Sequence, residues 1–495
     1  EYSEWLSREE ELKLFLSAHV PGPRMRFRAG LKVDDEDNWW RATRRGFPRF
    51  LEFDGNGVSG LKPMRELAKA LENAFALLPT RWLVVRFVTA AQLAELLRQP
   101  VVEAIERITV QLGPDEAEGE EAAAVIGHSR LRNLRGAALH FPLTEVGAAA
   151  LAQSANFNRM EQLAVEGAIS GATVRDLGNT PWFRKLLTLD FGSSLTEHGF
   201  EELCRLDSFK HLHSLCLQSP YFPGATWYRF ASATVFPALR VLNLGNSVFG
   251  ERQAESLVSA PWLNLADLNL KSCAIGNAAA QALAAAPWLG SLQRLDLANN
   301  FLTPSGVAAV AGSRKLTALK YLDLSFNQLG SLGLQAIAKN PALHGLRALL
   351  LCGSSEDQPR TKSAPIQRFL NTLDMPELRQ LSLANQILGS RAAKCLEAEK
   401  FHSLTRLDLH NCALGNATVS ALLTAPALQN LIELDLDQNG LDRGLKPLAE
   451  PGVLPRLSGC DLSRNRITPS LRKRLLRRPG LFIAGFTPRG ASPLA

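Results

Sequence analysis

From Leu239 onward the hydrophobic positions follow a fixed frame, with leucines at the first, fourth and sixth places and polar residues between them. Leu239-x-x-Leu242-x-Leu244 is followed by Leu265-x-x-Leu268-x-Leu270, Leu292-x-x-Leu295-x-Leu297 and Leu319-x-x-Leu322-x-Leu324. The frame continues through Leu346, Leu378, Leu404, Leu431 and Leu457, with steps of 26, 27, 27, 27, 32, 26, 27 and 26 residues. Alternation between the fourth and sixth places predicts a short strand with its leucines on one face. The stretch that follows predicts a turn and a helix. Leu302-Thr-Pro-Ser-Gly306 leads into Val307 to Ala311, and Ile275-Gly276 into Asn277 to Ala286. Leu329-Gly330 and Leu414-Gly415 repeat the turn, with Ser, Thr or Asn at hand as helix caps. The Ala-rich segments that reach Pro261-Trp262 and Pro287-Trp288 stop there, because proline has no N–H with which to continue a helix. A strand and a helix in every unit predict an array in which each repeat covers the core of its neighbour.

A degraded form of the frame runs upstream. Leu51/Phe53, Val85/Phe87, Ile108/Val110, Ala137/Leu139, Leu163/Val165 and Leu187/Leu189 stand where the later leucine pairs stand. The match becomes strong at Leu212-x-x-Leu215-x-Leu217. Residues 1–46 do not fit the repeat. With a short helix over Glu9 to His19, then Trp39-Trp40 and a basic stretch from Arg41 to Arg49, they are expected to cap the first exposed core face. The expected organisation is a helical and basic cap at 1–46, degenerate repeats at 47–211, and regular repeats at 212–467 with an insertion at 354–365. A basic C-terminal cap helix and tail follow at 468–495.

The frame L-x-x-L-x-L-x-x-N/C-x-L-x-x-x-G, best seen in Leu292 to Gly306 and Leu319 to Gly333, resembles the ribonuclease-inhibitor-like class of leucine-rich repeats. Trp39-Trp40 and Arg45-Gly46-Phe47, ahead of the first repeat, are similar to the short companion segment of large bacterial leucine-rich-repeat proteins. The resemblance implies an α/β solenoid, a horseshoe capped at both ends, with a parallel sheet on its concave face and helices on its convex face. It also implies protein binding, and it supplies no catalytic residue to carry over.

Composition agrees with a soluble repeat protein: 46% of the 495 residues are hydrophobic and 21% charged. No run approaches the roughly 20 apolar residues of a membrane span, and Glu1 to Lys13 is charged rather than signal-like. A chain that begins at Glu1 rather than Met leaves room for an upstream segment. The seven cysteines show no pairing pattern; Cys273 and Cys412 take the N/C place of the frame, and Cys460 replaces a strand leucine. Buried thiols of this kind point to a reducing cytoplasm.

In each strand the residues between leucines face outward. The middle outward place reads Asn243, Asn269, Asp296, Asp323, Leu350, Ser382, Asp408, Asp435 and Asp461. Its neighbours include Lys271, Arg294, Tyr321, Arg406, His410, Glu433 and Asp437. Stacked about 4.8 Å apart, these side chains form acidic ladders broken in places by arginine. One reading is a merely solvated polar position. The other is an acidic patch of Asp408, Glu433, Asp435, Asp437 and Asp461 for a basic partner. Leu350, with Ala348 and Cys352 beside it, would be an apolar anchor on that face unless the insertion Ser354 to Pro365 folds over it.

The net charge of +7 is uneven: from Arg464 to the end there are eight Arg or Lys and no Asp or Glu. Ser470 to Arg478 forms a helix with Leu471, Leu475 and Leu476 on one side, expected to seal the last repeat. The alternative makes Arg472, Lys473, Arg474, Arg477 and Arg478 phosphate contacts of a nucleic-acid-associated subunit, together with the 41–49 cluster. Absence of interleaved aromatics favours the cap. Gly55-Asn-Gly57-Val-Ser-Gly60 matches a dinucleotide fingerprint, but the next strand lacks a terminal acid and the segment is in phase with the repeats. His211-x-His213 lacks further metal ligands nearby, and Asn416-Ala-Thr418 is a sequon at an expected helix start. The expectation is a cytoplasmic, non-catalytic scaffold, without metal, cofactor or membrane contact. It would bind another protein, alone or within a larger complex.

Overall fold

A computed structural model of the chain describes residues 25–26, 50–77, 80–113, 118–206, 209–218, 224–232, 235–260, 264–353, 361–450, 452–478 and 481–484. The Arg41–Arg49 cluster and the 354–360 part of the insertion lie outside the described residues, as does Pro261-Trp262. The chain divides into two compact units between Leu242 and Asn243.

In the first unit the strands are β1 (Met25–Arg26), β2 (Leu51–Asp54), β3 (Trp82–Val88), β4 (Arg107–Leu112), β5 (Gly136–Pro142), β6 (Gln162–Glu166), β7 (Thr188–Asp190) and β8 (Ser214–Cys216). Strands β2 to β8 form a parallel sheet in chain order, and β1 pairs antiparallel with β2. Helices cross between them, and Thr89, Thr144, Ser170 and Thr196 each cap one by accepting the amide three residues on. Gly55 belongs to a repeat turn: its N–H donates to Arg86 O at 2.7 Å. A Cβ there would lie 2.6 Å from Phe87 O, which explains the glycine.

The inward column runs Leu51, Leu83, Ile108, Ala137, Leu163, Leu189 and Leu215. Two of the expected pairs therefore shift by two residues, to Leu83/Val85 and Leu189/Phe191. Phe87 is 41% exposed with φ +53°, and Leu187 is 36% exposed. A slip of two keeps every side chain on its own face, so alternation alone cannot detect it. For the β7 repeat, packing supplies the missing constraint through a phenylalanine repeated in the frame from β6 onward. Phe157, Phe183, Phe209 and Phe236 are fully buried, and successive rings meet at 5.4 and 5.8 Å from Phe183 to Phe236.

Strand β9 (Val241–Asn243) falls at the division. The second unit contains β10 (Asp267–Asn269), β11 (Arg294–Asp296), β12 (Tyr321–Asp323), β13 (Ala348–Leu350), β14 (Gln380–Ser382), β15 (Arg406–Asp408), β16 (Glu433–Asp435), β17 (Gly459–Asp461) and β18 (Phe482–Ala484). All pair in parallel and in order. The buried column Leu268, Leu295, Leu322, Leu349, Leu381, Leu407, Leu434 and Cys460 is the one expected. Neighbouring helices Pro304–Ala311 and Gly330–Lys339 approach so closely that a Cβ on Gly333 would lie 2.7 Å from Val307 Cγ1. The expected architecture is present: an α/β leucine-rich-repeat solenoid, strands along one face and helices along the other.

The N/C place of the frame ties successive repeats together. Asn327 Oδ1 accepts the amides of Asn300 and Leu302, both at 3.0 Å, while its Nδ2 donates to Leu297 O at 2.9 Å. Asn300 repeats the pattern toward Cys273, and Asn465 and Asn439 toward Leu441 and Cys412. Cysteine serves where it occurs because its thiol donates to a carbonyl, Cys273 to Leu244 O and Cys412 to Leu383 O. In the repeat that follows the lengthened one the place is taken by Gln386, whose Oε1 accepts the amide of Thr361 in the lengthened unit at 2.9 Å. The extra methylene of glutamine suits the longer unit.

The C-terminal helix is shorter than expected, Pro469–Leu475, with Thr468 as cap. Leu471 and Leu475 are buried, but Leu476 is 59% exposed and does not join the seal. The reason is that Leu476 is already the C-cap, where the chain leaves the helix. Among the described residues no helix is long and apolar enough to cross a membrane.

Candidate recognition face

The strand register of the second unit aligns the outward side chains into rows. The first row reads Asp267, Arg294, Tyr321, Ala348, Gln380, Arg406, Glu433 and Gly459. The second reads Asn269, Asp296, Asp323, Leu350, Ser382, Asp408, Asp435 and Asp461. The row of aspartates has a structural task that its sequence pattern does not announce. Asp296, Asp323, Asp408, Asp435 and Asp461 each accept, through Oδ1, the amide two residues on, at 2.8 to 3.0 Å. Asn243 and Asn269 do the same. This local bond ends the strand and starts the turn.

Asp296 and Asp323 are not an open acidic ladder: both are buried. Burial holds both carboxyls well above the usual carboxylate range, and the Asp323 charge pushes Asp296 further. Arg294 offsets them, 4.0 Å from Asp296, while its guanidinium lies 3.6 Å over the ring of Tyr321. The Tyr321 hydroxyl donates to Asp323 Oδ2 at 3.3 Å, and burial raises its pKa. Burial likewise pushes Asp267 up to about 6.

Farther along, Arg406 pairs with Glu433 at 3.1 Å. Asp437, expected on the open patch, is buried, with its side chain 4% exposed. It is held by His410 at 2.9 Å and by Arg464. Arg464 therefore belongs to the sheet edge and not to the basic tail. Truncating Arg464→Ala leaves a buried carboxylate with one partner fewer, and we expect a loss of about 1 kcal/mol in urea unfolding. Adding Asp437→Asn should recover most of that loss; a double variant as unstable as the single one would discard the pairing.

What remains is Asp408, Asp435 and Asp461 in direct register on β15, β16 and β17. Among the described residues no Lys, Arg or His forms an ion pair with any of the three. Burial, and then the charges of Asp408, Asp461 and Asp437, push the Asp435 carboxyl up to about 7. Next to this column a polar chain missed by the sequence reading links Cys352, Ser382 and Asp408. Ser382 donates to Asp408 Oδ2 at 2.6 Å and lies 2.9 Å from Cys352 Sγ. Leu350 is half-buried in the same row.

The basic helix divides in role. Arg478 donates to Leu448 O and Leu454 O, closing the preceding turn, and Arg474 pairs with Glu450. Arg472 is half-buried, while Lys473 and Arg477 are exposed. His211 and His213 are surface residues flanking the buried Leu212. No group of metal-ligating side chains occurs among the described residues. Asn416 accepts the amides of Asp442 and Gly444, the work of a buried turn rather than of an open acceptor site.

A leucine-rich-repeat family model matches residues 263–284 and 315–338. Comparison with curated proteins finds no match. Among solved structures the chain is similar to an internalin (inlF) from Listeria monocytogenes, at 16% identity and a TM-score of 0.43, over 69% of this chain and 83% of that one. It is also similar to the structure of the Rad7 and Elc1 complex in yeast, at 15% identity and a TM-score of 0.42, over 87% and 89% of the two chains.

Proposed function

This chain is a leucine-rich-repeat protein, and we propose that it is a non-catalytic scaffold whose second-unit sheet face binds a basic segment of a partner protein. The observation that carries the reading is the charge of Asp408, Asp435 and Asp461. Their turn-forming bond needs only an Oδ1, which Asn243 and Asn269 supply without charge. Three like charges in register on neighbouring strands destabilise the free protein. A cationic segment laid along the column reverses the sign of that term. The strands are preformed, so little ordering opposes binding. The Arg406–Glu433 and His410–Asp437 pairs form a polar rim, and Leu350 is an apolar anchor on the same face. Seven free thiols suit the cytoplasm, where the protein acts alone or within a larger complex.

The test is fluorescence anisotropy with a labelled peptide alternating lysine and glycine, and its glutamate counterpart as control. Combined Asp408→Asn, Asp435→Asn and Asp461→Asn, which keep the turn-forming Oδ1 and remove the charge, should weaken capture by about tenfold without lowering the thermal midpoint. Unchanged capture removes the column as the contact surface.

A further inference from the structure

A second candidate site lies on the sheet face of the first unit. Gly136, Ala138 and Ala164 have too little side chain to fill that face, and they leave a shallow open trough. In register, Ala138 on β5 faces Ala164 on β6, which faces Asp190 on β7. Trp82, whose Nε1 donates to Thr109 at 3.2 Å, walls the β3–β4 end. The floor is apolar; the β6–β7 end is not.

That end presents two acceptors. Gln162 Oε1 has no hydrogen-bond partner and is closed from solvent by its neighbours, so the side chain turns outward to meet an occupant; the cost of about 1–3 kcal/mol for a buried acceptor left unpaired favours that turn. Asp190 is half-buried, accepts the Gly192 amide at 2.8 Å, and forms no ion pair among the described residues. Burial raises its pKa, opposed by hydrogen bonds from the Gly192 amide and the Cys216 side chain, and the nearby charges of His140 and Glu166 act in opposite directions. His140 is itself closed on Glu166 at 2.7 Å. Arg107 also lines the trough from β4, and its Cγ and Gln162 Oε1 each lie 3.4 Å from the point above Gly136 where a Cβ would stand, so an occupant's cation sits on the β7 side, toward Asp190.

Charge and shape together select the occupant. It must carry a cation for Asp190, at least two N–H donors for acceptors on adjacent strands, and an unbranched apolar stem for the alanine floor. An arginine has all three, since its planar fork donates in two directions. A lysine ammonium is a compact and strongly hydrated point charge, and a tyrosine has one donor and no charge. We propose that this trough binds an arginine side chain presented by a partner protein, its methylenes on Ala138 and Ala164 and its guanidinium between Asp190 and Gln162. The site uses first-unit residues only and does not depend on the acidic column of the second unit.

The experiment is saturation-transfer-difference NMR on the full chain, in the Asp408→Asn, Asp435→Asn, Asp461→Asn background, which keeps the turn-forming acceptors while removing those carboxylate charges. The probes are the N-acetyl methylamides of arginine, citrulline and lysine. Transfer to the arginine methylenes should exceed that to either control, and Asp190→Asn should weaken arginine binding by about tenfold. Ala164→Leu, which fills the trough, should abolish it with the thermal midpoint kept; should that variant not fold, Gln162→Leu takes its place. Equal transfer to arginine and citrulline, equal transfer to lysine, or undiminished transfer in the filled-trough variant would each overturn the site.

Discussion

Asn327→Ala is expected to destabilise the second unit by about 3 kcal/mol or more. Asn327 is 4% exposed, and its amide group serves both sides of a repeat boundary. Its loss strands the amides of Asn300 and Leu302 and the carbonyl of Leu297 in a place water does not reach. The effect should spread, because Asn300 in turn holds Cys273. Asn327→Cys should fall between wild type and alanine. Cys273 shows that a thiol can stand in the same column, donating to Leu244 O and taking hydrogen bonds from the Asn246 and Ser247 backbone. Urea unfolding followed by circular dichroism gives the ranking. A midpoint for Asn327→Ala equal to wild type would dismiss the ladder as the tie between repeats.

Lowering the pH from 8 to about 5.5 should stabilise the second unit rather than weaken it. Asp435 and Asp267 are pushed up to about 7 and about 6 in the folded chain, against 3.8 for an ordinary aspartate, and Asp296 and Asp323 are shifted in the same direction. A raised carboxyl pKa means that the native state takes up protons before the unfolded chain does. Its stabilising contribution is complete below about 4 and is lost as pH rises through 6 and 7. After allowance for solvent screening, about 1 kcal/mol per group is a reasonable scale. Asp435→Asn should therefore raise the thermal midpoint at pH 8 and flatten its dependence on pH. Capture of a basic peptide should move the other way, weakening as pH falls through 7, because the peptide needs the ionised form. A midpoint independent of pH in wild type and variant alike would remove the strained carboxylates from the account.

The fold of the second unit was legible because its leucines are periodic at two scales, within the strand and between repeats. The candidate face was legible only in outline. Asp296 and Asp435 occupy the same place in the frame, yet one is buried beside Arg294 and the other stands between two carboxylates. Pattern assigns both to the outward row; the carboxylates Asp323, Asp408 and Asp461 that push them up arrive from repeats 26 or 27 residues away. Asp437 shows the same limit, since the arginine that closes on it lies in the next repeat and reads, along the chain, as the start of a basic tail.

The sequence by itself determined the strand–helix unit, the inward leucines, the ladder place filled by Asn or Cys, and the buried cysteines. Each is set by a local period or by the polarity of one side chain. Tertiary structure decided the register of the degenerate repeats, where a slip of two leaves the pattern unchanged; around β7 the stacked phenylalanines discriminate. It also decided which aspartates are paired, and it opened the trough over Gly136, Ala138 and Ala164. Those outcomes depend on which side chains stand next to each other across strands, a relation that a one-dimensional pattern of polarity does not contain.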